Sequence, residues 1–280
     1  MISRRDIFDL LDKETSLIVS KYKSLHGEKD VDRLKHLVWY LGISRQWAVH
    51  HLKNISIKEK GDLLDVGAYF GLIAGAAEGM GWRVAAIDAS SIPDFSSTRI
   101  PGRNISISDK CYNGCVDDLP YPDNYFDVIV LSEVLEHLPY SPLKMFREFK
   151  RVLKPGGAVQ ISTPNPAGIG KLIALALGRA PLEPDIKIFA KEDDTYSHKG
   201  LTFFKSWREA KLWTVGEIRY CLEACGLEVF KHFHYGNTVG MPEYGYIKNG
   251  IIAMKRILLP WVGKLPFNGG SIFLAARKPD

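Results

Sequence analysis

Asp62-Leu-Leu-Asp-Val-Gly-Ala-Tyr-Phe-Gly-Leu-Ile-Ala-Gly-Ala-Ala-Glu-Gly-Met80 runs from a short apolar strand into an Ala-rich helix through a turn marked by Gly67 and Gly71. A strand whose apolar residues do not alternate with polar ones is buried on both faces, which is the mark of a parallel sheet covered by helices. Glycine gives such a turn left-handed dihedrals and lets a ligand come close to the backbone. Arg83-Val-Ala-Ala-Ile-Asp88 follows as a second strand and ends on an acid seventeen residues past Gly71. In an open α/β sheet the ligand crevice lies outside the carboxyl ends of the strands, where an acid in that place suits ribose hydroxyls. The dinucleotide fingerprint G-x-G-x-x-G is not met, because Tyr69 stands where its second glycine would be. A two-glycine turn is by itself weak evidence for a nucleoside.

The same rhythm extends in both directions. A third strand is expected within 103–116, a fourth at Asp127–Ser132, a helix over 141–153 and a fifth strand over 156–163. Pro155-Gly-Gly157 reads as the turn into that strand. After residue 164 the alternation stops for some fifty residues, then resumes with a helix over 214–225 and strands at 227–235 and 271–277. A structureless loop of that length is rare in a compact domain, so 164–213 is expected to form a lid with helices of its own, one at Gly170–Gly178. Upstream, residues 1–60 read as a helical cap of three helices. The first is opened by a Ser3/Asp6 capping box and stopped by Gly27; the second spans 31–41 and ends at Gly42; the third is capped by Ser44. The predicted class is α/β: a doubly wound, mostly parallel seven-stranded sheet in a domain over 61–280, with the N-terminal helices and the insertion added.

Composition bounds the function. The 280 residues are 46% hydrophobic and 25% charged, ordinary for a globular chain and unlike a disordered one. No 18-residue apolar stretch is free of charge, and Met1–Glu14 lacks the apolar core of a signal peptide, so a cytoplasmic protein is expected. The net charge of +5 divides into +4 over 1–60, +4 over 241–280 and −3 between them. That distribution gives nucleic acid little support as a partner, and none is expected. Cysteines fall as two C-x3-C pairs, Cys111/Cys115 and Cys221/Cys225, with 105 residues between them. The spacing is unlike a zinc knuckle, so they read as core thiols and no metal is expected.

Four segments together carry a resemblance: LDVGAYFG (64–71), VAAID (84–88), DDLPYPDNYFDVIVLSEVLEHL (117–138) and EFKRVLKPGGAVQISTPNP (148–166). In order and spacing they resemble the class I S-adenosylmethionine-dependent methyltransferases, of the kind whose small members methylate quinones, sugars and other metabolites. The resemblance implies a Rossmann-like sheet and S-adenosylmethionine as cofactor. It assigns the amino-acid end of that cofactor to the turn Asp65, Gly67, Ala68, Tyr69 and Gly71, and the ribose to Asp88 with Ala89. Ser132 and Glu133 would line the cleft. The adenine contact falls near Asp117 and Asp118, later than the family's usual acid. Tyr69 also departs from the small residue common in this turn, which would tighten or shift the approach of the cofactor.

The implied reaction is in-line methyl transfer to a hydroxyl of a small molecule, sugar or lipid-linked glycan, with the helical cap and the insertion over the acceptor. A general base helps a neutral hydroxyl. His137 is the first candidate and His198 the second. Glu136 and His137 also read as a polar pair at a helix end, facing solvent. A nucleic-acid or protein methyltransferase is the alternative, against which Ser132-Glu-Val-Leu135 stands in place of a Pro-Pro-Tyr-type motif; a non-catalytic cofactor-binding protein is another. The segment 246–264, with four basic residues and no acid among large apolar ones, reads first as an ordinary connection packing on the sheet or on another copy. Its second reading is a peripheral membrane contact. Oligomeric state stays open.

Overall fold

The computed structural model describes residues 3–26, 31–55, 59–88, 106–107, 113–178, 195–204, 209–235 and 269–280. Strands β1 (Asp62–Val66), β2 (Arg83–Ile87), β3 (Ser106–Ile107), β4 (Phe126–Ser132) and β5 (Leu153–Pro164) are parallel neighbours in the order β3-β2-β1-β4-β5. The insertion contributes a separate hairpin, β6 (Thr195–His198) with β7 (Leu201–Phe204). The large sheet is completed by β8 (Glu228–Tyr235) and β9 (Ser271–Arg277), and β9 lies antiparallel between β5 and β8. One reversed strand among seven gives the mostly parallel sheet expected.

The unalternated strands are buried on both faces, as their sequence requires. Leu63 and Val130 point to a layer of helices made by α1 (Arg4–His26), α2 (Val31–Ile55) and α3 (Leu72–Gly79). Leu64, Ile129 and Leu131 point to the opposite layer, where Phe146 and Phe149 of α4 (Leu143–Val152) meet Ile218 and Leu222 of α6 (Val215–Ala224). Between them in the chain, α5 (Ile169–Ala176) opens the insertion. Among the described residues no helix is long and apolar enough to cross a membrane. The segment 246–264 lies outside the described residues.

Two expectations are corrected. The cap has two helices, because α2 runs unbroken through Gly42 and Ser44. The Ser44 hydroxyl donates to the Tyr40 carbonyl one turn back, at 2.7 Å, and caps nothing. Leu37, Leu41, Ala48 and Leu52 bury a continuous stripe against the rest of this layer. That burial outweighs the roughly 1 kcal/mol a mid-helix glycine costs. The insertion likewise holds a hairpin as well as a helix. The Ser3/Asp6 box forms reciprocally at 3.0 and 3.1 Å. Thr214 and Glu217 make a second box at the start of α6, whose T-x-x-E signature is plain in the sequence.

His51 ties α2 to the sheet, with Nδ1 3.3 Å from Gln160 Oε1 of β5. Burial pushes its imidazole down to about 3, against about 6.5 in an unfolded chain. The folded state therefore refuses a proton that the unfolded state accepts, and stability falls as pH drops below about 6.5. Between pH 7 and pH 4.5 this one group should remove about 2–3 kcal/mol. Urea unfolding of His51→Leu should show that part of the acid sensitivity gone; an unchanged pH slope would contradict the assignment.

Candidate active site

The turn after β1 is pinned to the end of β2. The Gly67 and Ala68 amides both donate to the Ile87 carbonyl, at 2.8 and 3.2 Å, and the Gly71 amide donates to Ala68 at 2.7 Å. Gly67 and Gly71 both have φ +73°, a region that costs most other residues energy. A Cβ on Gly67 would lie 2.2 Å from Val134 Cγ2, so the turn and the segment after β4 touch here and nothing larger fits. Gly67→Ala combines that overlap with an unfavourable dihedral and should cost roughly 2–4 kcal/mol in a thermal or denaturant melt. A loss under about 1 kcal/mol would show that the segment after β4 yields.

Gly71 is different. It is buried, yet a Cβ there would meet nothing within 4 Å. Its place at the start of α3 reflects a left-handed backbone beside an opening, and tight strand–helix packing has no part in it. Tyr69 also stays in the left-handed region, at φ +46°. Its ring packs on Phe70 and on Tyr40 of α2, with centroids at 3.9 and 4.7 Å, so the cap takes up its bulk.

Two acids flank the turn. Asp65 is 2% exposed, and its Oδ2 accepts the Ala74 amide at 3.1 Å in the first turn of α3. Burial, with the Asp88 charge adding to it, pushes its carboxyl up to about 7. Asp88 is also buried, and its Oδ2 accepts the Tyr69 amide at 2.8 Å. The turn and the acid after β2 are thus held by one another. Ala89 lies outside the described residues.

A third group lies past β4. Ser132 Oγ is 3.0 Å from Ser162 Oγ, and the Glu133 amide donates to the Ser162 carbonyl at 2.9 Å. Glu133 has φ +53°, and its Oε1 is buried without a hydrogen-bond partner among the described residues. The residue as a whole keeps some exposed surface. Burial raises its carboxyl well above the usual range, and the neighbouring Glu136 adds to the rise. Glu136 is 2% exposed; its Oε2 accepts the Thr163 hydroxyl at 3.0 Å, and burial pushes it up to about 7.

The expected sites distribute unevenly. Asp65, the glycine turn, Asp88, Ser132 and Glu133 converge on the carboxyl ends of β1, β2 and β4. Asp117 accepts the Asn113 amide at 2.8 Å and pairs with Lys199 at 3.0 Å. Asp118 is exposed and pairs with Lys144 of α4. His137 closes a short 3-10 turn, with Nε2 3.9 Å from Glu136 Oε1. His198 ends β6 opposite Leu201, one residue before Lys199. The reading of Glu136 as a solvent-facing residue is corrected, for it is buried under the insertion, whose Ala210 and Lys211 amides donate to its carbonyl at 2.6 and 3.2 Å. The signal for it was present: E-x-x-E after strand four, facing Ser162-Thr163 of the neighbouring strand.

Residues 64–161 match the family described as "Methyltransferase domain". Residues 64–161 therefore carry a methyltransferase domain. The chain is 34% identical to a ubiquinone biosynthesis O-methyltransferase of Xanthomonas oryzae pv. oryzae across 105 residues, 37% of this chain and 43% of that one. A ubiquinone/menaquinone biosynthesis C-methyltransferase of Francisella philomiragia is 24% identical over 233 residues, 76% of this chain and 80% of its own. The fold matches the crystal structure of an S-adenosylmethionine-dependent methyltransferase from Mesorhizobium loti, with TM-score 0.50 and 16% identity over 82% of this chain and 97% of that one. The chain spans about two fifths of the length of the first curated relatives it matches. The methyltransferase domain's own residues suit the family's cofactor. Gly71 leaves an open space where a side chain would stand, and Asp65 and Asp88 are buried carboxyls on either side of the turn. Among the described residues no three His, Cys, Asp or Glu side chains are placed to hold a metal ion.

Proposed function

We propose that the protein transfers a methyl group from S-adenosylmethionine to a hydroxyl of a small molecule. The observation that carries this reading is the turn itself: left-handed Gly67 and Gly71, the opening beside Gly71, and Asp65 and Asp88 linked through the turn. The cofactor would supply an electrophilic methyl group, so the protein's part is mainly positioning in a dry cleft. Asp88 would accept the ribose hydroxyls. Asp65 would meet the amino-acid end, where an ammonium would favour the ionised form that burial disfavours.

Relatives named for O- and C-methylation in ubiquinone biosynthesis support a small-molecule acceptor. A hydroxyl is preferred because the buried carboxyls past β4 can receive the proton it loses. A sugar or a lipid-linked glycan offers the same group. Incubating the protein with methyl-labelled cofactor and a cell extract, then fractionating the products, tests this reading. Label is expected in a small-molecule fraction as a methyl ether; label confined to protein or nucleic acid, or no transfer, would overturn it.

The insertion is proposed to cover the acceptor together with the helical cap. In support, Lys199 bridges the hairpin to Asp117, and Trp213 Nε1 donates to the Leu135 carbonyl at 3.1 Å. Hydrogen exchange should find α5 and the β6–β7 hairpin opening more readily than β1 and β4, and slowing when cofactor and acceptor are added. Insertion amides as slow as those of β4 before any ligand is added would contradict a lid.

A further inference from the structure

The cofactor turn does not account for the acids past β4. Glu133 is the first residue beyond that strand, and the residue after it, Val134, packs on Gly67. Its Oε1 is buried and unbonded among the described residues, and Tyr40, whose ring packs on Tyr69 of the turn, lies within reach of its charge. A buried acceptor left unbonded is destabilising, and a left-handed glutamate adds to that. The structure bears both at one residue, anchored by its amide bond to Ser162. Glu136 is placed differently, since the Thr163 hydroxyl fixes its carboxyl and His137 lies on its other side.

Resting on the methyltransferase reading above, we propose that Glu133 is the catalytic residue that takes the proton of the acceptor hydroxyl, with Glu136, three residues on and held by the Thr163 hydroxyl, as a positioning residue beside it. In that step the hydroxyl oxygen forms a bond to the methyl carbon, and the carbon–sulfur bond breaks with its electron pair left on sulfur. The hydroxyl proton passes to the Glu133 carboxylate and from there to solvent. No further reactant is needed. Glu136 and Glu209 face Glu133 as like charges and raise its carboxyl; Lys171 of α5 and the Ser162 hydroxyl of β5 lower it. Tyr40 of α2 and Tyr235 of β8 face it as phenols whose own ionisation it opposes. His137, first choice from the sequence, lies beside Glu136, with Nε2 3.9 Å from its Oε1.

The test uses the full chain with Glu133→Gln, Glu133→Asp and Glu136→Gln. S-adenosylhomocysteine binding by calorimetry reports an intact cofactor site, and the infrared carbonyl stretch of protonated carboxyls, followed against pH, reports the pair without turnover. Turnover is measured on the metabolite purified from the labelled extract. Glu133→Gln should bind S-adenosylhomocysteine within about threefold of wild type and lose part of the protonated-carboxyl band. It should lose about 100- to 10,000-fold in kcat with little change in acceptor KM, and Glu133→Asp should recover part of that loss. Glu136→Gln should move the acid limb of the kcat–pH profile to lower pH, because removing a like charge eases ionisation of Glu133. The proposal is overturned if Glu133→Gln binds normally and keeps kcat within about threefold of wild type. It is equally overturned by an unmoved acid limb in Glu136→Gln, or by activity that a chelator abolishes and magnesium restores, which would make the pair a cation site. Wild-type protein that binds no S-adenosylhomocysteine would bring down the methyltransferase reading and this proposal with it.

Discussion

Asp88→Ala is expected to weaken S-adenosylmethionine binding by about 5- to 150-fold, roughly 1–3 kcal/mol. Asp88 is buried at the end of β2, and its carboxylate already accepts the Tyr69 amide. Alanine removes the acceptor for the ribose hydroxyls and, in the same step, leaves the Tyr69 amide unpaired where the turn must keep its shape. The first loss falls on the bound state and is read by calorimetry; the second falls on the free protein too and is read as a lower denaturation midpoint, with the far-ultraviolet spectrum unchanged. Asp88→Asn separates the two effects, because an amide oxygen can still accept from Tyr69 while the charge is gone. Unchanged affinity in a folded Asp88→Ala protein would remove this residue from the site.

Asp65→Asn is expected to stabilise the free protein above neutral pH while weakening cofactor binding. The buried carboxyl is pushed up to about 7, whereas an unfolded aspartate titrates near about 3.9. Between those values the folded state holds a proton that the unfolded state has released. Stability is therefore fully present below the unfolded value and falls as pH rises through the folded one. By pH 8 the loss should amount to roughly 4 kcal/mol. Asparagine carries no titrating proton and can keep the bond from the Ala74 amide. Its stability should change less between pH 5 and pH 8 than that of wild type. The cost lies in function, since a charged partner for the cofactor's amino-acid end is gone and about 1.5–3 kcal/mol of affinity should go with it. A variant with the wild-type pH slope would show that Asp65 is not the group held protonated.

These two residues were legible in the sequence because local rules fix them. An unalternated strand can only be a covered parallel strand, and an acid at its end can only sit at the sheet's carboxyl edge. Where tertiary packing outvotes local preference, the sequence misleads. Gly42 and Ser44 have the residue types of a helix stop and a helix start, yet a single buried stripe carries α2 through both. Glu136 has the composition of a surface residue. Its burial depends on the insertion returning over it and on Thr163 from a strand that lies 27 residues further along the chain. Tyr69 looked like an obstacle in the glycine turn, and only the position of Tyr40 on a distant helix shows where its ring goes. The hairpin β6–β7 had no hydrophobic alternation strong enough to announce it.

The central claim is that the crevice above β1, β2 and β4 holds S-adenosylmethionine. Calorimetric titration of the purified chain with S-adenosylmethionine tests it most directly, with S-adenosylhomocysteine as competitor. Saturable binding of one molecule per chain, displaced by S-adenosylhomocysteine, is the predicted result. A folded protein that gives no saturable heat with either compound would contradict it.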